Sequence, residues 1–138
     1  MVGVCLLCHG AFGEGLSAAV RMIAGDLGQL RAVALSPEDT PEAYRDRLLG
    51  VVAELDEGDG VLLCADLYHG TPCNVATALA LQRPNLAVVA GVNLGAVLEA
   101  VLNPGDALAA LAERVAATAK QSVHLVAYGG ELVTDTAD

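Results

Sequence analysis

Short, mostly apolar runs alternate along this chain with longer segments of helical periodicity. Apolar runs without regular polar alternation are typical of strands buried on both faces, and they cover residues 2–8, 30–35, 61–65, 86–90 and 123–128. Amphipathic spacing predicts helices over residues 14–25, 40–55, 75–82, 94–102 and 107–120. This alternation predicts an α/β fold built on an open, mainly parallel sheet with helices on both faces.

Length and charge narrow the class of protein. At 138 residues the chain suits one sizeable core and is too short for two comfortable domains, so we expect one domain over residues 1–130 and an acidic tail over residues 131–138. The net charge is −10, from 17 acidic and 7 basic residues. Because the basic residues are scattered, the chain lacks the clustered basic face of a nucleic-acid binder. It suits a partner with a basic surface instead.

The sequence also argues against membrane insertion and export. No apolar stretch reaches the roughly 18 residues of a transmembrane helix, and the start MVGVCLLCHG lacks the basic residues of a secretion signal. We therefore expect a cytoplasmic protein whose four cysteines are reduced thiols.

Two of the predicted strands end in residues that carry chemistry. His9 follows the first strand and Asp66 follows the third. If these strands are neighbours, the two side chains lie about 5 Å apart, at the carboxyl edge where open parallel sheets bind ligands. A carboxylate that accepts a hydrogen bond from one ring nitrogen leaves the lone pair of the other free to attack. The pattern predicts that His9 is a nucleophile oriented by Asp66.

The residues that follow these two predict a phosphate cradle. Gly10 and Gly70 leave room for a tetrahedral group and for approaching backbone N–H groups. Thr71 before Pro72 predicts a helix start with Thr71 as N-cap, so that backbone N–H groups and the positive helix end point at His9. Each feature also has an ordinary structural explanation, but their convergence at one edge favours a functional one. The cradle needs no metal and no cofactor.

Three segments resemble a known family. The residues 9–15, HGAFGEG, resemble the HGxFAxG signature of the mannose-type EIIA proteins of the phosphoenolpyruvate-dependent sugar phosphotransferase system. Residues 66–74 resemble the family segment D-x-W/F-G-G-S/T-P-x-N, and residues 90–94 resemble its GVN turn after the fourth strand. The likeness covers nearly the whole chain in the same order and spacing.

This resemblance implies a cytoplasmic phosphocarrier. His9 accepts a phosphoryl group from phospho-HPr, with Nε2 as the implied reacting nitrogen, and passes it to a histidine of an EIIB partner. Asp66 orients the imidazole, and Thr71 contacts the phosphate. The family fold also implies a homodimer in which residues 123–128 form an exchanged antiparallel edge strand.

A docking rim is expected around the nucleophile, formed by Phe12, Tyr68 and His69. The chain departs from the family pattern close to this rim, because His69 stands where the family usually has the first glycine of a pair. Gly95 replaces a proline, Gly13 replaces an alanine, and Cys8 replaces a small hydroxyl residue. The change at His69 bears most directly on the choice of partner.

Other functions remain open at this level. No EIIB-like segment follows residue 130, so EIIB is either a separate protein or the chain is a regulatory phosphocarrier without its own transporter. A metal protein is a further alternative, because several possible ligands converge on the same edge: Cys8, His9, Asp66, His69 and Cys73. A pure interaction module with a vestigial pocket is the third.

The segment from Cys5 to His9 also spells C-x-x-C-H, the attachment motif of c-type haem. Residues three apart on a strand point to opposite faces, so the two thiols cannot meet one haem edge. This alternative is therefore excluded.

Overall fold

A four-stranded parallel sheet flanked by helices organises residues 1–133, the part of the chain that this computed structural model describes. The strands are β1 (Gly3–His9), β2 (Leu30–Leu35), β3 (Val61–Ala65) and β4 (Leu86–Ala90). The helices are α1 (Phe12–Ala24), α2 (Pro41–Leu55), α3 (Thr71–Ala80), α4 (Leu94–Leu102) and α5 (Leu108–Gln121). These elements confirm the predicted α/β class. Within these residues, no helix combines the length and the apolar character that crossing a bilayer requires.

The two faces of the sheet bury separate parts of the core. Along β1, Val4, Leu6 and Cys8 pack on the side of α1, α4 and α5. Cys5 and Leu7 pack on the opposite side, against α2 and α3. Both faces of β1 are therefore covered, which explains why its sequence is apolar without alternation.

The strand order places the two candidate catalytic residues on neighbouring strands. The order in the sheet is β2-β1-β3-β4, so the direction of the crossovers reverses between β1 and β3, where such sheets bind ligands. In the β1–β3 register, Leu7 lies opposite Ala65. His9 ends β1 and Asp66 follows β3, and both therefore reach the same carboxyl edge.

Two helix starts follow their capping signals, and one does not. The Thr40 side chain accepts a hydrogen bond from Ala43 N–H at the start of α2, and Asn93 caps α4 in the same way. The prediction for α3 is wrong in two respects. This helix begins at Thr71 rather than at residue 75, and its N-cap is the extended Gly70, with no capping side chain.

The C-terminal segment also differs from the prediction. Only Ala127–Tyr128 of residues 123–128 forms a strand, β5, and it pairs antiparallel with β6 (Glu131–Leu132) in a separate hairpin. In this single chain it is not an edge strand of the parallel sheet. All of residues 121–133 are exposed, including their apolar side chains. Of the predicted acidic tail, residues 134–138 lie outside the described part.

Candidate functional site

The His9 imidazole is held by the carboxylate of Asp66, as the sequence predicts. Its Nδ1 lies 3.0 and 3.1 Å from the two carboxylate oxygens, and the His9 backbone N–H donates to Oδ2 at 2.8 Å. The Asp66 N–H in turn donates to the Leu7 carbonyl at 3.1 Å, which ties the loop after β3 to β1. The Asp66 side chain is 11% exposed and that of His9 is 47% exposed.

This geometry selects one tautomer of the ring. The carboxylate accepts a hydrogen bond only from a protonated Nδ1, so the lone pair of the neutral imidazole resides on Nε2. No hydrogen bond within residues 1–133 engages Nε2 of His9. The ring therefore offers one nucleophilic nitrogen, and it is the nitrogen that faces away from Asp66.

Gly70 lies against the imidazole ring. A Cβ at this position would lie 3.0 Å from Cε1 and 3.5 Å from Nε2 of His9. The Gly70 backbone, at φ −79° and ψ 167°, suits any residue. The requirement for glycine is therefore one of space beside the ring.

The structure assigns Gly10 to the turn after β1, whereas the sequence predicted it as part of a phosphate cradle. Its φ is +55°, a left-handed conformation that favours glycine, and the space where a Cβ would stand is open. Its N–H donates to the Leu35 carbonyl at 2.8 Å. Gly10 thus turns the chain from β1 into α1, and its N–H is not free to contact a phosphate.

The start of α3 leaves backbone donors unpaired. The first helical hydrogen bond joins Asn74 N–H to the Gly70 carbonyl at 2.9 Å, so the N–H groups of Thr71 and Cys73 have no helical acceptor. The helix has no acidic residue in its first turn and no capping side chain. The Thr71 hydroxyl also makes no hydrogen bond within the described residues. The positive end of the helix dipole and these free N–H donors therefore lie beside Gly70.

Exposed apolar side chains follow the two strand ends that carry His9 and Asp66. Phe12 at 53%, Tyr68 at 67% and Leu67 at 58% are all largely exposed. The sequence predicts the first two as part of a docking rim but not Leu67, although a leucine two residues after a buried strand was a usable signal. His69 is also exposed, and its ring stacks on Tyr68 with centroids 3.6 Å apart.

A cluster of charged and polar side chains, which the sequence did not predict, holds the loop after β2. Arg47 donates to both carboxylate oxygens of Asp39 at 2.9 Å and to the Ala34 carbonyl at 2.6 Å. Asp39 also accepts hydrogen bonds from the N–H and hydroxyl of Ser36. The Arg47 guanidinium is the main cause that holds the pKa of Asp39 well below its usual range. Arg47 is therefore already engaged.

The GVN turn connects the site to the C-terminal helix. The N–H groups of Gly91 and Val92 donate to the Ala65 carbonyl, the last residue of β3. Asn93 caps α4 and also donates to the Ala119 carbonyl near the end of α5. The residue after this turn, Leu94, begins α4. The turn thus joins the residue before Asp66 to the point where the C-terminal segment leaves the domain.

The metal-site alternative is not favoured by the surroundings of the cysteines. Cys8 is fully buried, and burial raises the pKa of its thiol to about 12, with a further increase from Asp66. A thiol with such a pKa stays protonated, whereas metal ligation requires the thiolate. No group of three His, Cys, Asp or Glu side chains within residues 1–133 is arranged to hold a metal ion.

Comparison with known proteins places this site in a family. Residues 3–124 match the family model EIIA-man, described as PTS system fructose IIA component. The fructose-specific EIIA component of Bacillus subtilis (strain 168) is 28% identical over 123 residues, which cover 88% of this chain and 84% of that protein. The mannose-specific EIIAB component of Escherichia coli (strain K12) is 27% identical over 105 residues, or 76% of this chain. The match spans only 32% of the length of that E. coli protein.

A solved structure agrees with these sequence relatives. The mannose/sorbose-specific IIA subunit of the phosphotransferase system from Enterococcus faecalis superposes with a TM-score of 0.85 and 31% identity, covering 96% of this chain and 98% of that one. The match of residues 3–124 includes both strand ends that carry His9 and Asp66. The chain therefore belongs to the EIIA-man family, the IIA components of the sugar phosphotransferase system.

Proposed function

We propose that this chain is a phosphoryl carrier of a sugar phosphotransferase system, which accepts phosphate from phospho-HPr on Nε2 of His9 and passes it to an EIIB partner. One observation carries the proposal: the Asp66 carboxylate engages Nδ1 at 3.0 Å and so leaves the Nε2 lone pair free beside an uncapped helix start. The carrier acts in the cytoplasm, as the resemblance implies.

The transfer is a displacement at phosphorus. The Nε2 lone pair of His9 forms a bond to the phosphorus of phospho-HPr while the bond from phosphorus to the HPr nitrogen breaks, and its electron pair returns to HPr. The His9 ring becomes positively charged, and Asp66 stabilises this charge through the Nδ1–H hydrogen bond. Transfer to EIIB repeats the exchange with His9 as leaving group.

Backbone donors of α3 stabilise the phosphoryl group. The N–H groups of Thr71 and Cys73 and the Thr71 hydroxyl are free to donate to phosphate oxygens, and the helix dipole favours the added negative charge. The small Gly70 keeps this helix end within reach of the ring. The exposed side chains of Phe12, Leu67 and Tyr68 form the surface on which HPr and EIIB dock.

Phosphorylation of purified protein tests this function. The protein is incubated with phosphoenolpyruvate, Enzyme I and HPr, and bound phosphate is followed by ³¹P NMR. We expect one phosphate per chain, labile in acid and stable in base, and none on the His9→Ala variant. The His124→Ala variant is the matched control, because it removes a histidine of the C-terminal segment, and it should take up phosphate like the wild type. Phosphate on the His9→Ala variant would overturn the assignment.

We also propose that the carrier is a homodimer that exchanges its C-terminal segment, residues 122–133. The side chains of Val123, Leu125, Val126 and Tyr128 are 64 to 79% exposed, an unfavourable arrangement for an isolated chain. Strand β4 ends the sheet with a free edge. Beside it lies a groove of about 520 Å³, lined by Tyr68, Cys73, Leu81, Val88 and Ala90, among others. An apolar strand from a second copy fits this edge.

Oligomeric state tests the exchange. Light scattering after size-exclusion chromatography should give twice the chain mass for the wild type. Removing residues 122–138 should give a folded monomer, since residues 122–133 pair with no strand of the parallel sheet. A wild-type protein that stays monomeric at tens of micromolar concentration would refute the proposal.

A further inference from the structure

A second imidazole stands at the mouth of the proposed site. His69 has a φ of +69°, and it is the one non-glycine residue among those described with a positive φ. A side chain with a Cβ is strained in this left-handed region, which glycine adopts freely. Strain retained at the edge of a site indicates a role for the residue that bears it.

The position of His69 lets its ring reach the phosphoryl group. Its neighbour Gly70 lies against the His9 ring, with a Cβ position 3.5 Å from Nε2. Consecutive Cα atoms are about 3.8 Å apart, and an imidazole extends over a similar distance. The His69 ring rests against Tyr68 and is exposed, and these lengths are sufficient for another rotamer to approach a group bound on Nε2.

The charge available to balance a phosphate bears on the role of His69. No hydrogen bond or ion pair within residues 1–133 joins a Lys or Arg side chain to His9, to Asp66 or to residues 67–71. Arg47 is engaged by Asp39. A phosphoryl group adds a charge of about −1.5 to −2, whereas the α3 dipole supplies only about half a positive charge. The positive charge that the His9 ring gains is already paired with Asp66, so a protonated His69 would add one further positive charge.

We propose that His69 binds the phosphoryl group on His9 through a ring N–H, taking up a proton from solvent when the phosphate arrives. No covalent bond to His69 forms, and a phosphate oxygen accepts its hydrogen bond. The titratable groups that border this ring are Tyr68, stacked on it, and the His9–Asp66 pair beyond Gly70; α3 adds Cys73 but no acidic residue in its first turn. His69 thus sets how tightly the carrier holds its phosphate, an inference that rests on the proposed function.

The equilibrium of phosphoryl transfer from phospho-HPr to the protein, measured between pH 6.5 and pH 8.5, tests this role. His69→Asn tolerates the left-handed backbone but cannot be protonated, and His69→Gly removes both strain and side chain. We expect each variant to lower the equilibrium constant about 5- to 10-fold at pH 6.5 and less than about 2-fold at pH 8.5, since a charge-assisted hydrogen bond is lost. The control Asp26→Asn removes an exposed titratable group beyond the far end of α1, and it should follow the wild type at every pH.

The possible outcomes distinguish a failure of the role of His69 from a failure of the proposed carrier function. If the wild type and all variants gain no acid-labile phosphate, the carrier function itself fails. If all gain phosphate on His9 with the same pH dependence, the role of His69 is overturned. It is also overturned if His69→Asn matches the wild type while His69→Gly does not, because the backbone conformation rather than the imidazole then matters.

Discussion

Replacing Gly70 by alanine tests how closely the site controls the nucleophile. The added methyl group would lie 3.0 Å from Cε1 of His9, well inside the 3.5 Å or more at which two carbon atoms normally pack. The backbone of Gly70 suits alanine, so the ring has to move by a few tenths of an ångström. This movement lengthens or misaligns the hydrogen bonds from Nδ1 to Asp66, which at 3.0 and 3.1 Å lie within the usual range.

The expected loss follows from these hydrogen bonds. A hydrogen bond to a charged group contributes about 1.5–3 kcal/mol, and about 1.4 kcal/mol corresponds to a factor of 10 in rate. Displacing the ring should therefore slow phosphorylation of His9 about 10- to 100-fold. Folding stability should change by less than about 1 kcal/mol, because the weaker N-cap is offset by the lower entropy of the unfolded chain.

Rapid-quench measurement of transfer from phospho-HPr gives the rate, and urea unfolding gives the stability. Gly50→Ala is the matched control, since Gly50 lies within α2 with open space around it. This control should keep the wild-type rate and gain about 0.5–1 kcal/mol of stability. A Gly70→Ala protein that is phosphorylated within twofold of the wild-type rate would show that ring placement does not limit the reaction.

Three further predictions follow from contacts near the site. Asp66→Asn should slow phosphorylation about 100-fold or more, because an amide that donates to Nδ1 of His9 moves the ring proton to Nε2; the same quench assay checks it. Gly13→Ala should destabilise the fold, since the added Cβ would lie 3.2 Å from Cβ and 3.3 Å from Sγ of Cys8. Adding Cys8→Ser should recover at least about 0.5 kcal/mol of the free energy of unfolding, measured as a double-mutant cycle by urea unfolding. Strictly additive effects of the two substitutions would contradict this. The Arg47 guanidinium lowers the pKa of Asp39 in the folded protein, so the ionised carboxylate stabilises the fold at any pH above its unfolded pKa of about 3.9. In thermal melts, the difference in stability between the wild type and Asp39→Asn should therefore be largest at pH 6 and should shrink as the pH falls below 4.

The parallel sheet was predictable because its strands are buried on both faces. Three strands, at residues 30–35, 61–65 and 86–90, have the predicted limits, since turn residues bound each apolar run. The same pattern gave a wrong prediction for the C-terminal segment. Residues 123–128 form an apolar run like that of a buried strand, but the side chains of Val123, Leu125, Val126 and Tyr128 are exposed. An apolar run in the sequence does not distinguish a strand that the chain itself buries from a segment that stays exposed on the single chain.

The candidate site was predictable in its pairing but not in its details. Neighbouring strands and a carboxylate beside an imidazole were enough to predict the contact between His9 and Asp66. The roles of Gly10 and Gly70 depend on one backbone angle and one interatomic distance, which residue type alone does not specify. The left-handed His69 could not be anticipated from propensity, because surrounding structure imposes that conformation against the preference of the residue.

The uncapped start of α3 has a genetic consequence. Its free N–H donors at Thr71 and Cys73 are main-chain amides, which every residue except proline supplies. If the proposed function holds, codon changes that remove the Thr71 hydroxyl leave these amides in place, and inactivating mutations should concentrate where they redirect the polypeptide path, as at Gly70.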